Sequence, residues 1–275
     1  LSWLESQPQT VDNLKLQAEL LQSQNNDTDA EKYWLAVYRK SGDFNALDQA
    51  SFLALKDHRN TNAKTLLEQA YDQRKGKLPD ALLHRLAAFY AQNITDRDLP
   101  RVKQLMTQID GTTRGLLLAQ LAKGNYCSIV AQTTHDVPNE PAGLGALGQC
   151  AMKTMPGVAS IYYQKAADLG DDNSLPALAY ALEAGGSPEQ ALKIWQKVPA
   201  TLMSDNALLT AARSALEAEK PDQAEDYWLR LPKLTRANDW ALGATIAEAK
   251  NQPQLALQRQ KQALRNNPSP ENYYA

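Results

Sequence analysis

The sequence has little of what would point to a chemical activity. It holds two cysteines, Cys127 and Cys150, too few for a disulfide scaffold. Its three histidines, His58, His84 and His135, are scattered, and no two have the helical spacing of a metal-ligand pair. Excess charge is missing as well. With a formal net charge of −2, no basic field points to nucleic acid and no Lys/Arg block points to an anionic membrane. No apolar run reaches the roughly 18 residues that a membrane-spanning helix needs. Glycine, valine and isoleucine are thin, and no alternation of apolar and polar residues marks a strand.

What is plentiful is alanine, leucine and glutamine, a mixture that favours helices. The 275 residues suffice for one large domain or two modest ones with an ample core. The chain opens at Leu1 with neither an initiator Met nor a signal peptide, and it closes just after a repeat. It therefore reads as a fragment of a longer protein or as a mature chain.

The organising feature is a repeat. Pro156, Pro188, Pro221 and Pro253 are spaced 32, 33 and 32 residues apart, and each is followed three residues later by an alanine: Ala159, Ala191, Ala224 and Ala256. Large residues come next in three copies, as Tyr162-Tyr163, Ile194-Trp195 and Tyr227-Trp228, whereas the fourth copy has Arg259-Gln260. The same frame recurs near the start without the proline. Ala30 precedes Tyr33-Trp34, and Ala63, 33 residues on, precedes Leu66-Leu67. A period of this length is the mark of a helix–turn–helix array. Proline suits the first turn of a helix, where its missing N–H has no partner to lose. Ser187 is placed to cap its helix, and Glu189 and Asp222 suit the positive end of the dipole. The alanine lets a neighbouring helix approach, and the large residue on the same face fills the gap.

The partner helices lie between the prolines, at 174–186, 205–220 and 238–251, with exits at Gly185-Gly186, Lys220-Pro221 and Asn251-Gln252. In the less regular middle, 78–93 and 98–109 read as one hairpin, and 113–133 as a shorter one turning at Gly124-Asn125. The stretch 135–145, with two Pro and two Gly among its residues, reads as a loop before the helix that carries Cys150. The expectation is an all-α, right-handed α-solenoid of about eight tetratricopeptide-like hairpins. It comprises N-terminal helical repeats over 1–134 and tetratricopeptide-like repeats over 135–275, joined as one continuous solenoid.

Catalytic constellations are not evident, and no catalytic, cofactor-binding or metal-binding residue is assigned. "GLGALG" at 143–148 follows a Pro-rich loop instead of a strand, so it fails the context of a dinucleotide-binding turn. Cys127 with a distant histidine is a poor thiol dyad. Glu183, Glu217, Glu219 and Glu248 lie near helix ends and read as solvated. Trp34, Trp195, Trp228 and Trp240 could form a sugar-stacking platform, but their matched places in the repeat favour core packing, and a solenoid binds through its non-repeating residues. The two cysteines read as buried free thiols in a reducing compartment and as one bridge in an oxidising one.

From Asn125 to Ala275 the chain resembles the periplasmic repeat region of the NfrA family of outer-membrane bacteriophage adsorption proteins. The resemblance is carried by "NYCSIV" (125–130), Cys150, "PGVASIYYQKA" (156–166), "ALKIWQKV" (191–198) and "DNALLTAARSALEA" (205–218), in that order. It implies a periplasmic tetratricopeptide-like solenoid attached, in the full protein, to an outer-membrane β-barrel. It implies a receptor for a lytic phage, linked to export of a surface polysaccharide made by an inner-membrane glycosyltransferase partner. A periplasmic address in turn makes a Cys127–Cys150 disulfide the favoured reading, a closure that stabilises by roughly 3 kcal/mol in the chain-entropy model.

These readings lead first to a non-enzymatic interaction module without a cofactor, whose partners are a phage tail protein, secretion-complex subunits or a polysaccharide. The alternatives are the helical superstructure of a peptidoglycan-processing, lytic transglycosylase-like enzyme, which would need an acid Glu in a further domain, and a cytosolic tetratricopeptide adaptor. The second lacks clustered Lys/Arg/Asn on its inner helices.

Overall fold

The computed structural model describes residues 2–59, 62–134, 138–232 and 239–266. Every regular element among them is helical, and none is a strand. After one turn at Ser2–Glu5 (α1) the helices come in pairs. These are α2 (Val11–Ser23) with α3 (Asp27–Ser41), α4 (Phe44–Lys56) with α5 (Asn62–Gln73), α6 (Asp80–Gln92) with α7 (Leu99–Met106), and α8 (Gly111–Lys123) with α9 (Cys127–Thr133). There follow α10 (Pro141–Ala151) with α11 (Pro156–Asp168), α12 (Ser174–Ala184) with α13 (Pro188–Trp195), α14 (Asp205–Glu217) with α15 (Pro221–Arg230), and α16 (Trp240–Ala249) with α17 (Pro253–Asn266). The first helix of each pair is its A helix and the second its B helix. The fold is all-α, a tetratricopeptide-like succession of hairpins, and the chain forms two compact units, Leu1–Ala146 and Leu147–Ala275.

One turn is used again and again. Between the A and B helices a single residue takes left-handed backbone geometry: Asn25, His58, Asn125, Gly186, Glu219 and Asn251, with φ between 52° and 75°. The same pair of hydrogen bonds closes each turn. In the α14–α15 turn the Glu219 N–H donates to the Leu216 carbonyl and the Lys220 N–H to the Ala215 carbonyl. In the α16–α17 turn Asn251 donates to Glu248 and Gln252 to Ala247. This is the Schellman closure, which satisfies carbonyls that the end of a helix leaves orphaned. Gly and Asn accept left-handed geometry at little cost, whereas Glu219 and His58 hold it against their own Cβ.

In Leu147–Ala275 the helices α11, α13, α15 and α17 begin on Pro156, Pro188, Pro221 and Pro253. The alanines three residues on, Ala159, Ala191, Ala224 and Ala256, are all buried. Tyr163, Trp195 and Trp228, four residues beyond their alanines, fill the space between hairpins and belong to one continuous core. Two glycines permit this. A Cβ on Gly148 would stand 2.8 Å from the Tyr163 ring, and one on Gly243 would stand 2.5 Å from that of Trp228. Ser187 occupies the N-cap of α13 but makes no side-chain capping bond, contrary to the role its type suggests; Pro188 and the Schellman closure before it already define the helix start. The expected loop over 135–145 is also shorter than its composition implies. The helix α10 starts at Pro141, a proline suited to a first turn, and absorbs Gly143 and Gly145.

The departure at Arg259-Gln260 has a structural reason. Arg259 is buried, donates from Nη1 to the Gly243 carbonyl at 2.8 Å, and donates from Nη2 to Glu225 Oε1 at 2.5 Å. Its guanidinium lies 4.5 Å from the centre of the Trp228 ring. Lys250 reaches the other oxygen of Glu225. A charged cluster thus closes the last hairpin where earlier hairpins use apolar packing.

In Leu1–Ala146 the same frame holds. Ala30 and Ala63 are fully buried, as is Leu67, and Trp34 is buried with its indole N–H donating to Gln22 Oε1 at 2.8 Å. Tyr90 is buried at the centre of a polar chain. It donates to Glu68 and accepts from Arg101, which also pairs with Asp72 at 2.7 Å.

Candidate functional site

The residues singled out in the sequence do not converge. His58 occupies an exposed turn with its Nδ1 3.4 Å from Gln92 Nε2, His84 is half-buried on α6, and His135 lies outside the described residues. Among the described residues no group of three or more His, Cys, Asp or Glu could hold a metal ion. "GLGALG" is helical within α10, so it forms no phosphate-cradling loop. Cys127 opens α9 and Cys150 lies in α10 one residue before its end; neither is a free thiol.

Of the four candidate stacking tryptophans, Trp34, Trp195 and Trp228 are buried and Trp240 is half-buried. Trp195 and Trp228 are 1% exposed, which leaves no face for stacking a sugar. Trp240 packs edge-on against Trp228, with centroids 5.3 Å apart. Of the four glutamates near helix ends, Glu217, Glu219 and Glu248 are exposed, but Glu183 is half-buried. Its burial pushes the carboxyl up from the ordinary range, the Glu217 charge adds to this, and Arg213 works against both.

Glu183 lies in a cleft of about 580 Å³ on the A-helix side of the second unit. Met152, just past α10, forms one end. Ala177, Tyr180, Glu183 and Ala184 on α12 form the middle, Thr210 on α14 the other end, and Tyr163 the floor. Tyr180 is held edge-on against buried Trp195, with centroids 5.0 Å apart at 86°. Burial raises the pKa of its phenol, so it remains a neutral donor and acceptor across the physiological range. The cleft therefore offers an apolar, aromatic surface, one hydroxyl pair and one poorly solvated carboxylate. Such a surface holds a chain by burial and orients it by a few polar contacts.

Sequence reasoning passed over Tyr180, Thr210 and Met152 because they break the repeat instead of following it. The signal was available in that irregularity. The A-helix position of Tyr180 is Arg213 one repeat later, and that of Glu183 is Leu216, whereas the alanine and aromatic packing positions recur.

No family model matches the chain, and no curated protein does. A solved tetratricopeptide repeat protein from Parabacteroides merdae is similar at 13% identity and a TM-score of 0.40, over 96% of each chain. The tetratricopeptide-like reading of the fold stands on the recurring hairpin and its turn.

Proposed function

We propose that this chain is a non-enzymatic interaction scaffold, the periplasmic repeat part of an NfrA-like outer-membrane phage receptor, and that its A-helix cleft takes a partner polypeptide. The observation that carries the binding site is the cleft over α12 and α14, whose lining varies from repeat to repeat while the packing beneath it does not. Repeat proteins recognise partners through such variable surfaces. The partner in this reading is a phage tail protein, with secretion-complex subunits or an exported polysaccharide as the cellular ligands. Two things support the compartment: the order of motifs from "NYCSIV" to "DNALLTAARSALEA" and the absence of a free thiol at Cys127 or Cys150. The reading includes a Cys127–Cys150 bridge.

The test is competition. Purified chain, preincubated with a phage that adsorbs through an NfrA-type receptor, should lower the titre of infected cells, and Tyr180→Ala combined with Glu183→Lys should abolish that protection. Wild-type chain that neither protects nor binds virions removes the phage partner from the reading. Two titratable thiols in unreduced, denatured protein taken from the periplasm would remove the bridge.

A further inference from the structure

The opposite side of the second unit carries a second cleft, of about 550 Å³, between the B helices α11 and α13. Its apolar lining is exposed Ile161 with Leu182 and Ile194, over buried Leu178. Its rim holds Lys165, Lys193 and Lys197, all exposed, and no Asp or Glu lines it. Among the described residues none of the three lysines forms an ion pair, although cations elsewhere do, as in Lys56–Asp27, Arg85–Asp48 and Lys250–Glu225. The acids nearest to them in sequence on α11 and α13 form no ion pair with them. Asp168 accepts from Gln164 Nε2 at 2.7 Å, and Glu189, one turn before Lys193, makes no ion pair with it. Three positive charges without an ion-pair partner thus line one cleft on a chain whose net charge is −2.

Exposed apolar residues run along α11, with Ile161 in the cleft and the others beside it. Of the ten large apolar side chains exposed among the described residues, Met155, Val158, Ile161 and Leu169 lie on or beside α11. At 100° per residue they and Lys165 fall within one stripe of roughly 120°. A surface helix with no partner would carry polar residues there.

We propose that this B-helix cleft docks an acidic, leucine-bearing segment of a partner protein, with its apolar side chains on Ile161, Leu182 and Ile194 and its carboxylates against the three lysines. An apolar floor selects against a bare polyanion, and the lysine rim selects against a basic or neutral amphipathic segment. The inference does not rest on the A-helix cleft, and the two fail separately.

The experiment is fluorescence anisotropy with three labelled synthetic peptides: glutamates interspersed with leucines, the same peptide with serine for leucine, and the same with lysine for glutamate. The first should bind saturably, and its affinity should fall as salt rises from about 50 to about 300 mM, where exposed charges are screened. Lys165→Glu with Lys193→Glu and Lys197→Glu should weaken it at least tenfold, and so should Ile161→Asp alone. Lys123→Glu, a charge reversal at an exposed lysine of the first unit, should leave it unchanged. Lys165, Lys193, Lys197 and Ile161 are all exposed, and unaltered circular dichroism would show the fold intact. No saturable binding, equal affinity for the serine peptide, binding of the lysine peptide, or full affinity in the triple variant would each overturn the proposal.

Discussion

Arg259 offers the sharpest test of the packing argument. Truncating it in Arg259→Ala removes a buried charge-assisted pair with Glu225, a bond to the Gly243 carbonyl, and contact with the face of Trp228. A hydrogen bond to a charged group contributes about 1.5–3 kcal/mol, and a desolvated cation–π contact about 2 kcal/mol. These terms share one guanidinium and do not add in full. Lys250 remains on Glu225, which limits the penalty of a buried, unpaired carboxylate. The net loss should be about 3 kcal/mol, or a fall of about 10 °C in the melting temperature of a unit this size. Because a repeat array is stabilised hairpin by hairpin, the loss should be local. Amide exchange should accelerate over 240–266 and change little over 156–168. Arg259→Lys should recover part of the loss, since an ammonium can reach Glu225 but cannot also serve Gly243. Paired with Glu225→Gln, the double-mutant cycle should give a coupling of about 1 kcal/mol or more. If Arg259→Ala melts within about 2 °C of the parent and exchange over 240–266 is unchanged, the cluster contributes nothing and the reasoning is wrong.

Two glutamates should give opposite responses to pH. Burial pushes the Glu225 carboxyl up, but the hydrogen bonds and charges of Lys250 and Arg259 outweigh it, so the folded pKa is lowered from 4.5. Its contribution is full above 4.5 and is lost as pH falls through the lower folded value. The folded pKa of Glu183 is raised, so acidification from neutral pH towards 4.5 should stabilise the protein, and Glu183→Gln should flatten that rise in urea midpoints. Gly243→Ala would drive a methyl group against the Trp228 ring, 2.5 Å away, and should cost about 1–3 kcal/mol by thermal melting. Glu219→Gly should relieve a left-handed residue and raise stability by up to about 1 kcal/mol; a loss would show that Glu219 has a role beyond the turn.

Much of the fold was legible because it is local. The prolines mark the first residues of α11, α13, α15 and α17, and the alanine three positions on is buried in every copy. Asn125 was readable as a turn because Asn tolerates left-handed geometry. The start of α10 at Pro141 was not, since the Pro and Gly content of 135–145 looks the same in a loop and in a helix opened by proline. Arg259 was visible only as an exception. Its meaning needed Glu225 and Gly243, which lie 34 and 16 residues away. The A-helix cleft was hidden for a related reason: its residues are those that the repeat leaves free to vary.

The sequence alone determined the helices, their period, the turn between them and the side of each helix that turns inward. These follow from backbone preferences and from spacings of three and four residues, which a chain expresses before it meets any partner element. Only the tertiary structure decided which exposed positions share a surface. Tyr180 and Thr210 are 30 residues apart yet line one cleft, and Lys165 and Lys197 are 32 apart yet rim another. Their proximity is set by how one hairpin packs on the next, a matter of side-chain volume at Tyr163, Trp195 and Gly148 that no local rule contains.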